Sequence, residues 1–130
     1  MLQVKSMVVG IVGTNCYIVY DKKSRDAVII DPGAEAERIL SFLEEEELNP
    51  KAILLTHGHF DHILAVPALR EKYKIPLYAA EEERKMLGNG QLNMSGRDPE
   101  DNVEIQDFTA LRDGDELELL GRKWKVLSTP

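Results

Sequence analysis

All three histidines of this 130-residue chain fall within six residues, in Thr56-His57-Gly58-His59-Phe60-Asp61-His62. Imidazole is the commonest metal-binding side chain, and carboxylate is a frequent companion ligand. Concentrating the whole histidine supply beside Asp61 points to a metal site rather than to a polar loop with incidental histidines. Spacing supports this. Ile53-Leu54-Leu55 reads as a buried strand, so the histidines begin where that strand ends. In extended backbone, residues two apart face the same way, which lets His57 and His59 converge on one cation. Gly58 between them permits a close backbone approach. Asp61 and His62 follow after a turn, within reach of a second cation.

A divalent cation brings the pKa of bound water towards neutrality and polarises a carbonyl oxygen. Two cations about 3.5–4 Å apart stabilise both the attacking and the leaving atoms. Such a centre suits hydrolysis of esters, thioesters, lactams or phosphodiesters. A Ser-His-Asp mechanism is excluded, because every histidine already belongs to the motif.

The surrounding elements alternate. Residues 2–12 and 16–20 read as strands joined by a Gly13-Thr14-Asn15 turn, and residues 27–30 as a third strand broken by Asp31-Pro32-Gly33. Ala36, Ile39, Leu40 and Leu43 recur at helical spacing, with Glu35 and Glu37 where the helix dipole favours acids. Asn49-Pro50 stops that helix, and residues 51–55 form the strand that carries the motif. A second helix is expected with Pro67 in its first turn and Leu69 and Tyr73 on its buried side. Residues 75–79 read as a strand and 80–87 as a short helix closed by Gly88. Residues 89–107 are polar with no clear period, and residues 117–120 and 124–127 close as a hairpin around Gly121, with Trp124 in the core. The pattern predicts an α/β fold, a mixed sheet with helices packed on it.

Composition sets the remaining bounds. The length suits one domain, residues 1–130, with a core of its own, and 43% hydrophobic residues is ordinary for a globular protein. A formal net charge of −7 argues against a nucleic-acid partner, whose binding surfaces are basic. The apolar stretch 7–12 is interrupted by Gly10 and far too short to span a membrane, and no signal peptide is recognisable. Cys16 is the single cysteine, so no internal disulfide forms; it reads as a buried strand residue in a cytoplasmic protein.

His57-x-His59-x-Asp61-His62 after a hydrophobic strand and a threonine resembles the signature of the metallo-β-lactamase fold superfamily. Asn15-Cys16-Tyr17, Val28-Ile29-Ile30-Asp31-Pro32-Gly33, Leu111-Arg112-Asp113-Gly114-Asp115 and Trp124-Lys125-Val126-Leu127-Ser128-Thr129-Pro130 resemble the family's other segments, in the right order. The likeness covers essentially the whole chain, least well between Gly88 and Phe108. It implies one half of a four-layered αββα sandwich with the metal loop at the sheet edge. It also implies two zinc ions per complete site, with iron or manganese as alternatives. His57 and His59 would hold one ion and Asp61 and His62 the other, with Asp61 also the catalytic carboxylate. Asp31 matches an aspartate that supports the metal loop from behind, although a plain strand-end turn explains it equally well. Asn93, Met94, Ser95 and Arg97 lie where relatives place a loop over the substrate, an ordinary loop being the favoured alternative.

His59 in place of glutamate, and His62 in place of arginine, turn the resemblance away from di-iron oxidoreductases and from the commonest true β-lactamases. Acidity turns it away from RNA-processing members. The glyoxalase II-like hydrolases remain, using metal-bound hydroxide on acyl-thioesters such as hydroxyacylglutathione. The alternatives are a non-catalytic module that keeps a partial metal site, and an iron persulfide dioxygenase-like oxidoreductase. Relatives continue past a segment like Ser128-Thr129-Pro130 with a Gly-His pair, a bridging aspartate and a last histidine, so each metal here is expected to lack a histidine. On this reading the chain is the N-terminal part of a hydrolase. A sheet face with Val28, Ile30, Ile53 and Leu55 would then lose its cover, and a homodimer through that face is expected.

Overall fold

The computed structural model describes residues 2–97 and 102–126. Six strands, β1 (Leu2–Val9), β2 (Thr14–Asp21), β3 (Asp26–Ile30), β4 (Asn49–Leu55), β5 (Leu77–Ala80) and β6 (Thr109–Leu111), form one sheet in sequence order. The first three pair antiparallel, and β3 to β6 run parallel. Parallel neighbours need crossover segments. These are α1 (Ala36–Glu45) between β3 and β4, then α2 (Phe60–Ile63) and α3 (Val66–Tyr73) between β4 and β5. The last crossover holds a 3-10 turn (Glu81–Glu83) and α4 (Arg84–Leu87). A separate hairpin of β7 (Glu116–Leu119) and β8 (Arg122–Lys125) follows.

Ile18, Ile29, Ile53 and Leu77 lie in register across four strands, so they share one face of the sheet. All are within 1% of full burial, in one cluster with Ile39 and Leu43 of α1, Ile63 of α2, Leu69 of α3 and Leu87 of α4. The helices therefore cover that face, and their apolar stripes are the ones the spacing predicted. Pro67 sits in the first turn of α3, where its missing N–H costs nothing.

The period of two corrects the expected exposed face. Val28 pairs with Ala52 and Ile30 with Leu54, whereas Ile29 pairs with Ile53. Val28 and Ile30 thus point away from Ile53 and Leu55, and the four residues cannot form one surface. On the far face Val19, Val28 and Ala52 are already buried, while Ile30 and Leu54 are half-buried and Val4 and Tyr17 exposed.

Further expectations shift. The first turn is residues 10–13, with Gly10 and Gly13 at positive φ, so Thr14 and Asn15 belong to β2. Asn49 and Pro50 open β4 instead of merely ending α1. The metal motif follows the fourth of six strands, at the C-terminal edge of the sheet. Trp124 is half-exposed on the hairpin, its indole N–H donating to the Leu119 carbonyl, so it is not a core residue. The expected strand end at Leu127 and the Ser128-Thr129-Pro130 segment lie outside the described residues.

Burial pushes the Cys16 thiol up to about 12, and the charge of Asp31 adds to the shift. At pH 8 a disulfide reagent should therefore modify Cys16 roughly a thousandfold more slowly in the folded chain than in urea; equal rates would contradict its burial. Ile53→Ala should cost about 2–5 kcal/mol in urea unfolding, because it empties the centre of the helix-covered face.

Candidate metal centre

Asp31 ends β3 in the left-handed region, at φ 53°, which an aspartate tolerates better than most residues. That turn aims its carboxylate at the first residue beyond β4. Asp31 Oδ1 accepts the Thr56 backbone N–H at 2.7 Å, and Oδ2 accepts the Thr56 hydroxyl. The Thr56 oxygen lies 3.0 Å from His57 Nδ1. Asp31 is 4% exposed, so these donors stabilise an otherwise costly buried carboxylate.

Asp61 and His62 were expected on the loop but stand on α2, one turn of helix that begins after His59. Helix geometry turns His62 back over His57, with ring centroids 4.9 Å apart. His62 Nε2 lies 3.4 Å from Asp61 Oδ2, and that same oxygen accepts the Thr14 hydroxyl at 2.8 Å. His62 Nδ1 is buried 3.1 Å from Asp31 Oδ2 but makes no hydrogen bond of acceptable angle, so the contact is electrostatic. The pKa of His62 is raised above its ordinary 6.5, first by this contact with Asp31 and then by the charges of Asp61 and Glu83, against a lowering from burial.

His57, Asp61 and His62 are thus brought together, with Asp31 behind them. His59 is exposed at the start of α2, and among the described residues no ring contact or ion pair ties it to the other three. Nor do any three His, Cys, Asp or Glu side chains among the described residues stand ready as a complete ligand set. The donors nevertheless suit a divalent cation. His62 Nε2 and Asp61 Oδ2 share one space, and the buried Nδ1 is backed by a carboxylate, the arrangement that orients a metal-binding imidazole. The residues fit a metal as a partial, well-supported set.

The other candidates separate. Asn93 is fully buried, its amide donating to the Met86 and Val103 carbonyls at 2.9 Å, so it braces the chain and does not face a substrate. Ser95 is 3% exposed and exchanges hydrogen bonds with the Val103 backbone. The side chain of Arg97 lies outside the described residues. Residues 89–97 and 102–107 are therefore a braced segment held by side chains, which periodicity cannot reveal. Beside Asp61 opens a cleft of about 590 Å³, walled by Ile11, Val12, Phe60, Leu64 and Met94 and floored by Gly33.

Two contributors escaped the sequence reading. A Cβ on Gly33 would lie 1.8 Å from the Asp61 carbonyl oxygen, so only glycine lets the strand-end turn pass beneath α2. Thr14, assigned to a turn, supplies the hydroxyl on Asp61. The Asp-Pro-Gly run was the available signal for the first; the second had none, because its partner is 47 positions away.

The mixed sheet, its helices on one face and the histidine motif at the end of β4 define a class, the metallo-β-lactamase fold. The chain belongs to the metallo-beta-lactamase superfamily, whose model matches residues 9–130. It is 34% identical over 118 residues to the hydroxyacylglutathione hydrolase GloC of Haemophilus influenzae, covering 89% of this chain and 55% of that protein. The crystal structure of the B3 metallo-beta-lactamase BLEG-1 matches with TM-score 0.87 and 37% identity, over 98% of this chain and 62% of that one. TTHA1623, solved in a di-iron-bound form, matches with TM-score 0.73 and 30% identity over 88% and 57%. The chain spans about half to three-fifths of the length of these relatives. Among the described residues no helix is long and apolar enough to cross a membrane.

Gly33→Ala should destabilise the chain by several kcal/mol and disturb the His62 resonance, since backbone must move to admit the methyl group. In the metal-free chain, the stability contributed by His62 is fully present below about 6.5 and is lost as pH rises through its raised folded pKa. Asp31→Asn should bring the His62 titration, followed by proton NMR, back down towards 6.5 and flatten that loss; an unchanged titration would contradict the assigned cause.

Proposed function

We propose that this chain carries the metal-binding motif of a metal-dependent hydrolase acting on small acyl-thioesters or related esters, of the glyoxalase II kind. The observation that carries this reading is the His57, Asp61 and His62 cluster, braced by Asp31 and Thr14 and opening on an apolar cleft. The likeness to a hydroxyacylglutathione hydrolase supports the substrate class. His57 and His59 would contribute to one cation and Asp61 and His62 to another, and each ion needs further donors to complete its shell.

A zinc ion bound there supplies Lewis acidity and a water acidic enough to ionise near neutral pH. The chain's own residues do the rest. Thr14 holds one Asp61 oxygen in place, which orients the carboxylate beside the cleft. Asp31 keeps the His62 ring from rotating by its charge on Nδ1. Ile11, Val12, Phe60 and Met94 give the cleft apolar walls that would receive an acyl chain.

Iron in place of zinc is the second reading, favoured by the di-iron-bound relative, and would suit an oxidoreductase of the persulfide dioxygenase kind. A partial-site module without catalysis is favoured by the lack of a ready ligand set among the described residues. We place the protein in the cytoplasm, where one buried thiol without a disulfide partner is at home. The proposal also includes a second copy as partner, meeting Val4 and Tyr17 on the far sheet face; a monomer in sedimentation at micromolar concentration ends that part.

Metal content after equilibration with zinc, iron or manganese, followed by a hydroxyacylglutathione hydrolysis assay, tests the main reading. Asp61→Ala should lower both metal content and hydrolysis at least about tenfold. Hydrolysis that survives chelation, or oxygen uptake by the iron form in place of hydrolysis, would overturn it.

A further inference from the structure

Beyond β4 every second backbone amide still meets an acceptor, although β4 has ended and no strand ladder continues there. Thr56 N–H donates to Asp31 Oδ1 at 2.7 Å, Gly58 N–H to Glu83 Oε1 at 2.7 Å, and Phe60 N–H to the Asn93 carbonyl at 2.8 Å. Asp31 follows β3 and Glu83 follows β5, the neighbours of β4 on opposite sides, so the first two acceptors hold the loop from both flanks. The middle donor is the Gly58 amide, between His57 and His59. Gly58 is buried, and a Cβ there would meet the Leu87 side chain at 3.3 Å and Met86 at 3.4 Å. The segment that carries Glu83 is therefore packed directly on the loop.

We infer that Glu83 is a positioning residue for the metal loop: its carboxylate clamps the Gly58 amide and so sets the direction in which His57 and His59 leave the backbone. A charged acceptor suits this role, because hydrogen bonds to ionised groups are shorter and stronger than neutral ones. The half-buried carboxylate also adds negative charge beside His62, which favours a cation in that space. Glu83 touches neither substrate nor metal in this assignment. Asp31 and Glu83, from the ends of β3 and β5, grip the two sides of the loop that leaves β4 between them.

The inference rests on the metal-binding reading above, and two measurements on the whole 130-residue chain keep the two apart. The first is hydrogen exchange of the Gly58 amide in the metal-free protein. Glu83→Ala should abolish its protection while the core amides of Ile29 and Ile53 stay protected, and Glu83→Gln, which retains an acceptor oxygen, should keep most of it. The second is zinc affinity by chelator competition. Glu83→Ala should lose on the order of tenfold and Glu83→Gln about threefold or less. Protection of Gly58 unchanged in Glu83→Ala overturns the inference, as does a Glu83→Gln variant as impaired as Glu83→Ala. A parent chain that binds no zinc would overturn the metal reading but leave the exchange result to judge the clamp.

Discussion

The carboxylate of Asp31 is buried where β3 ends, and the segment that carries every histidine begins where β4 ends. Parallel strands place those two ends side by side, and the left-handed turn at Asp31 directs the side chain across the gap. A buried carboxylate must find donors, and it finds the Thr56 amide and hydroxyl, with the His62 ring beside them. The cost of burying that charge is thus converted into a rigid start for the loop. Removing the carboxylate would take the acceptor from the Thr56 N–H and hydroxyl, so the constraint acts in both directions.

The same constraint explains why the neighbouring turn tolerates so little volume. Pro32 accepts the Ala65 amide through its carbonyl, and Gly33 passes directly beneath the Asp61 carbonyl. The strand-end turn and the start of α2 are therefore one packed unit. Thr14, from β2, completes it by holding Asp61. Three strands and one short helix meet in a few ångströms, which is why a motif of six residues has supports spread from position 14 to position 93. A site assembled this way holds Asp61 and His62 against their supports before any ligand arrives, and that preorganisation lowers the ordering cost of binding.

Much of this architecture was legible because it is written in periodicity and composition. The stripe Ala36, Ile39, Leu40 and Leu43 gave α1, the run Ile53-Leu54-Leu55 gave the core of β4, and the histidine cluster gave the place of the chemistry. These are local signals, set by the geometry of single helices and strands. Strand ends were less legible: the hairpin turn begins three residues earlier than expected, because glycines at both ends of residues 10–13 accept positive φ where Thr14 and Asn15 prefer the ladder.

Which face of the sheet each strand residue occupies depended on pairing register, and that is a relation between distant segments. Val28 and Ile53 look alike in sequence and lie on opposite faces, because the bulge between Ala27 and Val28 and the match of Ile29 to Ile53 set the phase. The division of labour among polar residues was hidden for the same reason. Asn93 and Ser95 read as candidates to touch substrate, yet their side chains close backbone groups of a segment eight to ten residues on. Thr14 and Glu83 carried no local mark at all. Residue type and spacing announce which groups can bind a cation, since that chemistry resides in the side chain itself. Whether a carboxylate or hydroxyl supports the site is a matter of proximity across the fold, and only the packed sheet and its crossovers create that proximity.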